Sequence, residues 1–451
     1  MKTGITFFDE YILKEGFPEG FQILIAGEPG SGKTIFASQI MYNVLSQLKE
    51  KGIYVSFAET KNDFYDAMRR LNMDFTKLEE KGVFKFIDLV TVEPSALEEE
   101  INLIMQEIIS FKPKYVVIDT ITTLLQLLGR EKVRIFLHTT LGRFVKAVGA
   151  VAFLIAEKPY GQDVIGYGVE EFITDGVIVL HCQKLNEVLR RTMEIKKIRG
   201  RKIKRAQYEF TITENGIVFL EIPDLIMHSE EGTNERVTTG IDKLDEILGG
   251  GVFKDSITLI AGMSGTGKTT FGLHFAVANA LQGKKVIYLS FEEQVGNLLR
   301  AARNYNMPID NILGKNLEFY SWIPEAQTPV DFFMRIKKLF EKSPPDIFVI
   351  DSLTSIRRHM DPVELLKMIR YLQLLFKSNK VTTYMTLNIE TEFDSVPYTD
   401  ASTLTDNIII LKYKTVGNSV KLFLTVIKER ASKHSRDIYE YEITPKGIVI
   451  K

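Results

Sequence analysis

The stretch FQILIAGEPGSGKT (residues 21–34) decides the fold, and it recurs as SITLIAGMSGTGKT at residues 256–269. Each copy consists of a short apolar run, a glycine-rich loop of the pattern G-x-x-x-x-G-K-[ST] and the start of a helical pattern. This order predicts a buried strand that turns through the loop into a helix. The glycines let the loop backbone point its N–H groups inward at a phosphate, and the helix N-terminus adds the positive end of its dipole.

Both loops are therefore predicted to bind the phosphates of ATP. We expect Lys33 and Lys268 to contact the β- and γ-phosphates, and Thr34 and Thr269 to ligate Mg²⁺. Two matches at equivalent positions of a repeat favour this interpretation over plain strand-to-helix turns. The predicted ATP-binding residues of the two loops are Gly27, Glu28, Pro29, Gly30, Ser31, Gly32, Lys33, Thr34, Gly262, Met263, Ser264, Gly265, Thr266, Gly267, Lys268, Thr269 and Thr270.

The whole chain of 451 residues is one unit written twice. The two loop lysines are 235 residues apart (268 − 33), and matching aspartates and arginines further along are 232 and 231 apart (351 − 119 and 430 − 199). This nearly constant offset predicts a tandem duplication of one domain. We place the domains at residues 1–225 and 226–451, joined by the polar stretch IPDLIMHSEEGTNER at about residues 222–236.

Further strand-like runs alternate with helical patterns in each copy. IYVSFA, YVVIDT and VAFLIA are continuous apolar runs, typical of strands buried on both faces. RRTMEIKKIR and AQYEFTITENGIVFL alternate apolar and polar residues, and the second includes an Asn-Gly turn. The sequence therefore predicts an α/β fold, with two tandem P-loop domains that each have a mostly parallel central sheet flanked by helices.

Each copy also contains an apolar strand that ends in an aspartate. These residues are Asp119 in YVVIDT and Asp351 in FVIDSL. Such an aspartate could merely cap the next turn. With a phosphate loop upstream, it is predicted to hold Mg²⁺ directly or through water.

Hydrolysis of ATP needs a carboxylate that orients or deprotonates the attacking water. The second copy offers Glu292 and Glu293 at the end of YLSFEE, and Glu292 is also a candidate magnesium ligand. The first copy offers Glu59, with Ala58 in the place of Glu292. We expect the second site to have two candidate bases and the first to have one; the alternative is that these acids are solvated surface.

Composition narrows the class of protein. The formal net charge of −1 gives no global basic field, so nucleic acid is not an expected partner. The single cysteine, Cys182, excludes an intramolecular disulfide framework and a cysteine-rich metal site. The first residues show no signal peptide, and no apolar run approaches the ~20 residues that span a bilayer. We expect no membrane association and a cytoplasmic location.

Together these elements resemble the KaiC family, the double-domain RecA-like ATPases of the cyanobacterial clock and their prokaryotic relatives. The resemblance covers almost the whole chain and implies two tandem RecA-like domains. It rests on the tandem TGI…DE segments (TGITFFDEYI from residue 3 and TGIDKLDEIL from residue 239), each followed by a phosphate loop, and on four further segments: FEE (residues 291–293), GVEEFITDGVIVL (168–180), KKIRG (196–200) and DASTLTDNIIIL (400–411).

The resemblance implies a homo-oligomer, a ring of six chains with ATP bound at the subunit interfaces. The K-x-R segment of the family reaches the nucleotide of the neighbouring chain, like an arginine finger in trans. It matches Lys197 and Arg199 in the first copy and Lys428 and Arg430 in the second. A cation supplied by a neighbour makes hydrolysis depend on assembly. The alternative is that these charges only keep a strand edge soluble.

The family's second domain also phosphorylates itself on an adjacent serine and threonine. These match Ser402 and Thr403, and the first copy carries Glu170 and Glu171 at the matching place. A phosphoryl group adds about −1.5 to −2 charges, and glutamates supply part of that charge permanently. The alternative is that the two hydroxyls bond the local backbone at the start of a strand.

Two more positions follow from the resemblance. Tyr305 matches the aromatic residue beside the adenine, although ARNYNMP could simply end a helix. Asn388 stands where RecA-like folds carry a polar sensor of the γ-phosphate. The sequence also departs from the family: Pro397 replaces a threonine, KERA replaces K-x-R-G, and the family's C-terminal extension that binds KaiA is missing. KaiA is therefore not an expected partner.

We therefore expect an ATP-binding, ATP-hydrolysing ring protein that acts as an ATP-driven regulatory switch, with serine/threonine autophosphorylation in the second domain as a further hypothesis. The first alternative is a RecA- or RadA-like DNA-dependent ATPase, since the basic segment RGRKIKR (residues 199–205) could contact phosphates. The second alternative is a nucleotide-gated signalling scaffold.

Overall fold

The structure is a computed structural model. It describes residues 1–90, 97–159, 165, 170–185, 188–203, 206–219, 233–323, 328–358, 360, 362–389 and 404–451. The chain divides into two compact units, Met1–Glu221 and Ile222–Lys451. Each unit contains one nine-stranded sheet, and the strands follow the same order in both. Among the described residues, no helix combines the length and apolar character needed to cross a membrane.

The first sheet is mostly parallel, as predicted. In space its strands lie in the order β3-β2-β4-β5-β1-β6-β7-β8-β9; the first six run parallel and the last three antiparallel. In chain order the strands are β1 (Gln22–Gly27), β2 (Gly52–Ser56), β3 (Phe84–Asp88), β4 (Tyr115–Asp119), β5 (Val151–Glu157), β6 (Gly176–Leu185), β7 (Val188–Ile198), β8 (Gln207–Thr213) and β9 (Gly216–Phe219).

Helices cover both faces of this sheet. Side chains alternate along each strand, so Ile23 and Ile25 of β1 face α1, α2 and α3, while Leu24 and Ala26 face α4 to α7. The helices are α1 (Lys33–Leu48), α2 (Lys61–Arg69), α3 (Phe75–Glu80), α4 (Leu97–Phe111), α5 (Ile121–Leu128), α6 (Arg130–Ile135), α7 (Gly142–Val148) and α8 (Glu170–Ile173), with π-helical segments at Phe8–Ile12 and Phe136–Leu141.

The second unit repeats the sheet and adds a two-stranded ribbon, β10 with β11. The order in space is β14-β13-β15-β16-β12-β17-β18-β19-β20. The strands are β10 (Arg236–Val237), β11 (Val252–Phe253), β12 (Ile257–Gly262), β13 (Val286–Ser290), β14 (Leu317–Ser321), β15 (Ile347–Asp351), β16 (Thr382–Asn388), β17 (Asn407–Val416), β18 (Ser419–Glu429), β19 (Tyr439–Thr444) and β20 (Gly447–Ile450).

The helices of the second unit are α9 (Asp242–Ile247), α10 (Lys268–Leu281), α11 (Val295–Asn304), α12 (Pro329–Lys342), α13 (Leu353–Arg357) and α14 (Pro362–Ser378), with a 3₁₀ turn at Ile309–Asn311. On one face of β15, the Phe348 ring packs against Phe340 of α12 and Phe376 of α14, with ring centroids 5.6 and 5.2 Å away. On the other face, Val349 joins the cluster that includes α10. The second sheet is thus also buried on both sides.

The segment predicted to join the domains, residues 222–236, lies mostly outside the described residues. Its last residue is not linker: Arg236 begins β10 and pairs with Phe253 of β11. The sequence pattern placed Arg236 with the polar residues before it. In the fold, its guanidinium hydrogen-bonds to residues far along the chain, among them Glu429.

In each unit, one side chain of the helix after the phosphate loop fastens the C-terminal hairpin. In the first unit, Gln39 Oε1 accepts a hydrogen bond of 2.6 Å from the backbone N–H of Ile217. In the second, His274 Nε2 accepts one of 3.0 Å from the N–H of Ile448. A Cβ atom on the glycine before each of these isoleucines would lie 2.6 Å from the glutamine oxygen or 2.0 Å from the imidazole nitrogen. The φ angles of these glycines, +87° and +84°, lie in the left-handed region that favours glycine, so both turns strain any other residue.

This pair of contacts predicts that His274 makes a pH-dependent contribution to the stability of the second unit, whereas Gln39 makes none in the first. Burial lowers the pKa of His274, and its acceptor role requires a neutral ring. The unfolded chain, with an ordinary pKa of about 6.5, then binds more protons than the folded chain. The free energy of unfolding should therefore fall as pH drops below about 6.5, and level off below the lowered pKa. We expect His274→Gln to remove this loss, as measured by urea unfolding between about pH 7.5 and 5.5.

The first unit supplies the matched control, because Gln39 does the same work without titrating. Gln39→His should add a loss of stability between about pH 7.5 and 5.5 to the pH dependence that the native first unit already has. The same pH dependence in native protein and in His274→Gln would contradict the prediction.

Candidate nucleotide sites

The first phosphate loop leaves the carboxyl end of the central strand of its sheet. β1 lies between β5 and β6, with Gly27 level with Glu157 and Leu180. This edge is where open α/β sheets bind ligands. α1 begins at Lys33, whose Nζ donates to the carbonyls of Gly27 (3.0 Å) and Glu28 (3.1 Å). Burial lowers the pKa of Lys33, against the field of nearby carboxylates.

A buried carboxylate stands beside this loop. Asp119, at the end of β4, is 4% exposed. Its Oδ2 accepts hydrogen bonds from Tyr54 Oη (2.7 Å) and Thr34 Oγ1 (2.9 Å). Burial raises the pKa of Asp119, although both hydrogen bonds and the charge of Lys33 act to lower it. Thr34 and Asp119 thus present two hard oxygen atoms at the spacing of adjacent Mg²⁺ ligands, about 2.9 Å for bonds of about 2.1 Å.

The second unit has the same arrangement. Lys268 Nζ donates to two loop carbonyls at 3.0 and 2.8 Å. Asp351, 2% exposed, accepts hydrogen bonds from Tyr288 Oη (2.9 Å), Thr386 Oγ1 (2.5 Å) and Thr269. Burial raises the pKa of Asp351 as it does in the first unit. Both units therefore place the loop lysine, the helix threonine and the strand-ending aspartate in the same geometry.

The candidate bases lie at the same sheet edge but in different surroundings. Glu59 and Glu293 each donate a backbone N–H to the serine three residues earlier, at 2.9 Å. Burial, followed by the charge of Asp119, raises the pKa of Glu59. Glu292 Oε1 accepts hydrogen bonds from Ser352 Oγ (2.5 Å) and Ser355 Oγ (3.3 Å), just after Asp351. Glu292 is thus attached to the strand end that carries the aspartate.

The K-x-R residues lie near the amino ends of the parallel strands, at the opposite end of the sheet from the phosphate loop. In the first unit, Lys197 is level with Val177 and Leu24, and Arg199 follows at the level of Asp175 and Gln22, where β1 begins. At ~3.3 Å per residue, Arg199 is roughly 17 Å along the strands from Gly27. Lys197 Nζ donates to the Glu171 carbonyl (2.5 Å), and Arg199 pairs with Asp175 (3.3 Å).

The second unit repeats this placement too. Lys428 Nζ donates to the Thr405 carbonyl (2.6 Å), and Arg430 lies 3.4 Å from the Asp406 carboxylate. Burial and the neighbouring arginine lower the pKa of Lys428 and, in the first unit, of Lys197. The structure therefore brings none of these four cations to the phosphate loop of its own unit.

Comparison with known proteins agrees with this doubled geometry. The profile of the KaiC ATPase family matches residues 1–224 and 237–451. The chain belongs to the KaiC family. The circadian clock oscillator protein KaiC of Synechococcus elongatus is 33% identical over an alignment that covers all of this chain and 89% of the relative. That of Parathermosynechococcus lividus is 31% identical, with 100% and 85% coverage. KaiC 1 of Synechocystis is 30% identical, with 99% and 88% coverage.

Membership of this ATPase family implies that ATP is the nucleotide. Two residues assigned by resemblance lie near the second loop. Tyr305 Oη accepts a 3.5 Å contact from Thr270 Oγ1, at the start of α10. Asn388, level with Gly262 in the sheet, donates its backbone N–H to Thr354 Oγ1 (2.6 Å). Its Oδ1 is buried without a partner among the described residues. The roles of both residues stay predictions.

The serine–threonine pair lies outside the described residues, as does Pro397. Described chain resumes at Leu404, directly before Thr405 and Asp406, the partners of the K-x-R cations. In the first unit, the matching carboxylate pair belongs to α8, and Lys196 Nζ lies 3.7 Å from the Glu171 carboxylate.

Sequence reasoning missed three features of these sites. Tyr54 and Tyr288 hydrogen-bond the buried aspartates. Their recurrence in YVSF and YLSF was a signal within reach, because a repeated polar side chain in a buried strand needs a partner. Thr386, the third partner of Asp351, gave no such signal.

The third feature is a buried ion pair between the first phosphate loop and the residue that follows β5. Glu28 Oε1 lies 3.1 Å from Lys158 Nζ, and both side chains are 10% exposed. Glu28 Oε2 accepts the N–H of Cys182 (3.3 Å), and His181 Nδ1 lies 3.8 Å from Glu28. Burial opposes ionisation of Glu28, but its hydrogen bonds and Lys158 bring its pKa below the ordinary value. The second copy has Met263 and Ile389 at these places (263 − 28 = 235; 389 − 158 = 231).

The ion pair predicts an unequal response to single and double replacement. Lys158→Ile leaves Glu28 buried without its cation and should destabilise the protein by about 3–5 kcal/mol. Glu28→Met/Lys158→Ile installs the apolar pair of the second copy and should recover most of that loss. Chemical unfolding of the three proteins measures the difference. A double variant no more stable than the single one would contradict a coupled pair.

Proposed function

We propose that this chain is an ATP-driven ring protein in which each unit binds Mg-ATP and hydrolyses it at an interface between chains. The proposal rests on one arrangement that occurs in both units. In each, a loop lysine, a helix threonine and a buried aspartate lie together at the carboxyl ends of the strands, and the K-x-R cations lie at the amino ends. Two copies with one geometry support two working nucleotide sites.

The loop residues bind and orient the nucleotide. Lys33 and Lys268 already point their ammonium groups at loop carbonyls, in the space where a phosphate would lie, and their lowered pKa values reflect burial. The inward loop N–H groups would hold the β-phosphate. Glu59 in the first unit, and Glu292 or Glu293 in the second, would take the proton of the attacking water. A raised pKa brings Glu59 closer to the range where a general base works best.

Mg²⁺ fits the oxygen pairs Thr34 with Asp119 and Thr269 with Asp351. When bound, it would neutralise charge on the transferred phosphoryl group. Among the described residues, no cluster of three or more His, Cys, Asp or Glu could hold a metal. Mg²⁺ in such sites usually takes one or two protein oxygens together with nucleotide phosphates and water, which agrees with that finding.

Distance within one unit argues for a ring. Arg199 and Arg430 cannot stabilise charge on a nucleotide roughly 17 Å along their own sheet. A neighbouring chain of the same kind offers its loop edge to them, and closed homo-oligomers repeat that contact around an axis. A hexamer with ATP at each interface is the proposed assembly.

We also propose that the second unit phosphorylates Ser402 and Thr403. Two features support it: these residues directly precede the segment held by Lys428 and Arg430, and the first copy has carboxylates at the matching place. A phosphate there would compete with Thr405 and Asp406 for the two cations. ATP turnover and the state of this segment would then be coupled.

Mixing of two inactive chains tests the interface site. Arg430→Ala removes the finger but keeps the second loop, and Lys268→Ala disables the loop but keeps the finger. In a Glu59→Gln background that suppresses turnover at the first site, each chain alone should lose at least about 10³-fold in second-site turnover. The mixture should regain activity, because some interfaces join an intact loop to an intact finger. Phosphate release measures the recovery.

Light scattering with and without ATP provides the assembly control for these mixtures. ATP should increase the particle mass of native protein and of both variants, since the first loop is intact in each. Equal mass in all conditions, together with no recovery on mixing, would contradict a nucleotide site shared between chains.

Autophosphorylation is tested separately by mass spectrometry after incubation with Mg-ATP. We expect the peptide that contains Ser402 and Thr403 to gain one or two phosphoryl groups, and Lys268→Ala to prevent this while Lys33→Ala prevents it only through lost assembly. A peptide that stays unmodified in assembled native protein would refute the kinase activity and leave the ATPase proposal standing.

A further inference from the structure

Arg236 occupies a position in the second unit where five groups meet. Its Nη1, with two hydrogens shared among three acceptors, lies within hydrogen-bond distance of the carbonyls of Leu248 (2.8 Å) and Gly251 (2.6 Å) and of Glu429 Oε1 (2.6 Å). Its Nη2 donates to Ser432 Oγ (2.7 Å). The guanidinium carbon also lies 3.7 Å from the centre of the Phe253 ring. One side chain thus joins β10, the turn after α9, β11 and the end of β18.

Glu429 is the middle residue of the K-x-R segment of the second unit. Its side chain is fully buried, while that of Arg236 is 20% exposed. Glu429 Oε1 takes the bond from Arg236, and Oε2 has no partner among the described residues. A buried carboxylate needs a cation to offset the loss of hydration, so the position of Glu429 depends on Arg236.

Burial of Glu429 fixes the direction of its neighbours. Successive side chains of a strand point to opposite faces, so an inward Glu429 turns Lys428 to the other face, and Arg430 leaves the end of the strand from the same anchor. Lys428 and Arg430 contact Thr405 and Asp406 there. The Arg236–Glu429 pair therefore sets where both cations are presented.

The first copy has a buried apolar residue at the position of Glu429. Ile198 stands at the position of Glu429 (429 − 198 = 231) and is 4% exposed in the first core. A buried side chain of either kind suffices to end the strand. The ion pair adds a directed connection to Arg236, the first strand residue after the segment that joins the two units.

We propose that Arg236 and Glu429 are positioning residues for the second ATP site of the neighbouring chain: they hold Lys428 and Arg430 at the geometry in which these cations reach the neighbour's phosphates. The inference rests on the proposed trans arrangement. Because the pair acts on the finger of one chain, its loss impairs the loop of the next chain and leaves the loop of its own chain intact.

The informative variant replaces both members. Arg236→Met alone strands a buried carboxylate and destabilises the unit for reasons unrelated to the finger. Arg236→Met/Glu429→Ile removes both charges, keeps aliphatic contact with Phe253 and installs the isoleucine of the first copy. Arg236→Lys serves as the conservative variant, since it keeps one charge but loses the forked donors.

The experiment again uses full-length chains in the Glu59→Gln background. Alone, the double variant should lose about 10- to 100-fold in second-site kcat, the effect of a cation misplaced by about 1 Å, with a smaller change in KM for ATP. Mixed with Lys268→Ala, it should recover turnover to the level of the Arg430→Ala mixture, since the Lys268→Ala chain supplies a well-held finger to an intact loop. Arg236→Lys should fall between native protein and the double variant.

A triple variant gives the matched control. Lys268→Ala/Arg236→Met/Glu429→Ile carries an inactive loop and loosely held cations, so it should rescue Arg430→Ala about 10- to 100-fold less than Lys268→Ala alone does.

Turnover in the two mixtures distinguishes failure of this inference from failure of the proposed site between chains. If the Arg430→Ala mixture recovers but the double-variant mixture does not, the pair merely maintains its own unit and the inference is wrong. Full activity of the double variant alone overturns it as well. If neither mixture recovers, the trans site itself is refuted, and the inference falls with it.

Discussion

The buried aspartate at the end of β4 and of β15 is the constraint on which each site depends. A carboxylate with 4% or 2% exposure is tolerated only where donors surround it. Those donors come from a neighbouring strand and from the helix after the phosphate loop: Tyr54 and Thr34 in one unit, Tyr288 and Thr269 in the other. The hydrogen bonds that the buried carboxylate needs therefore fix the loop, the helix and two strands relative to one another. The same contacts leave oxygen atoms spaced for a magnesium ion.

The duplication keeps this constraint and exchanges the polar contacts around it. Glu28 with Lys158 becomes an apolar pair in the second copy, Ile198 becomes Glu429, and Gln39 becomes His274. A buried ion pair is seldom more stable than a well-packed apolar pair of similar size. Its presence in one copy alone therefore has no general explanation in stability. Each ion pair gives its copy a contact that the other copy lacks: at the phosphate loop in the first copy and at the K-x-R segment in the second.

The sequence predicted what is local and repeated, and missed what joins distant residues. The loops, the strand-ending aspartates and the Asn-Gly turn are short patterns. The recurrence of the first two predicted the α/β fold and the resemblance to the KaiC family, and the structure and the comparisons confirm both. The contact between Arg236 and Glu429 spans 193 positions and that between Glu28 and Lys158 spans 130. Such pairs depend on which strands become neighbours, which no periodicity encodes. For that reason the sequence pattern predicts a linker at Arg236, where the structure has a strand.

The placement of charge across the sheet has a consequence for regulation under the proposed arrangement. In each unit the phosphate loop lies at the carboxyl ends of the parallel strands and the K-x-R cations lie at their amino ends, so each unit would carry half of two sites and the whole of none. Turnover then belongs to the interface, and anything that moves β18 by a fraction of a residue acts on the next chain first. The contacts of Lys428 and Arg430 with Thr405 and Asp406 matter for the same reason. Under the same proposal these cations would also face a neighbour's nucleotide, so a change of charge at Ser402 and Thr403 would alter their contact with that nucleotide without any movement of the central sheet.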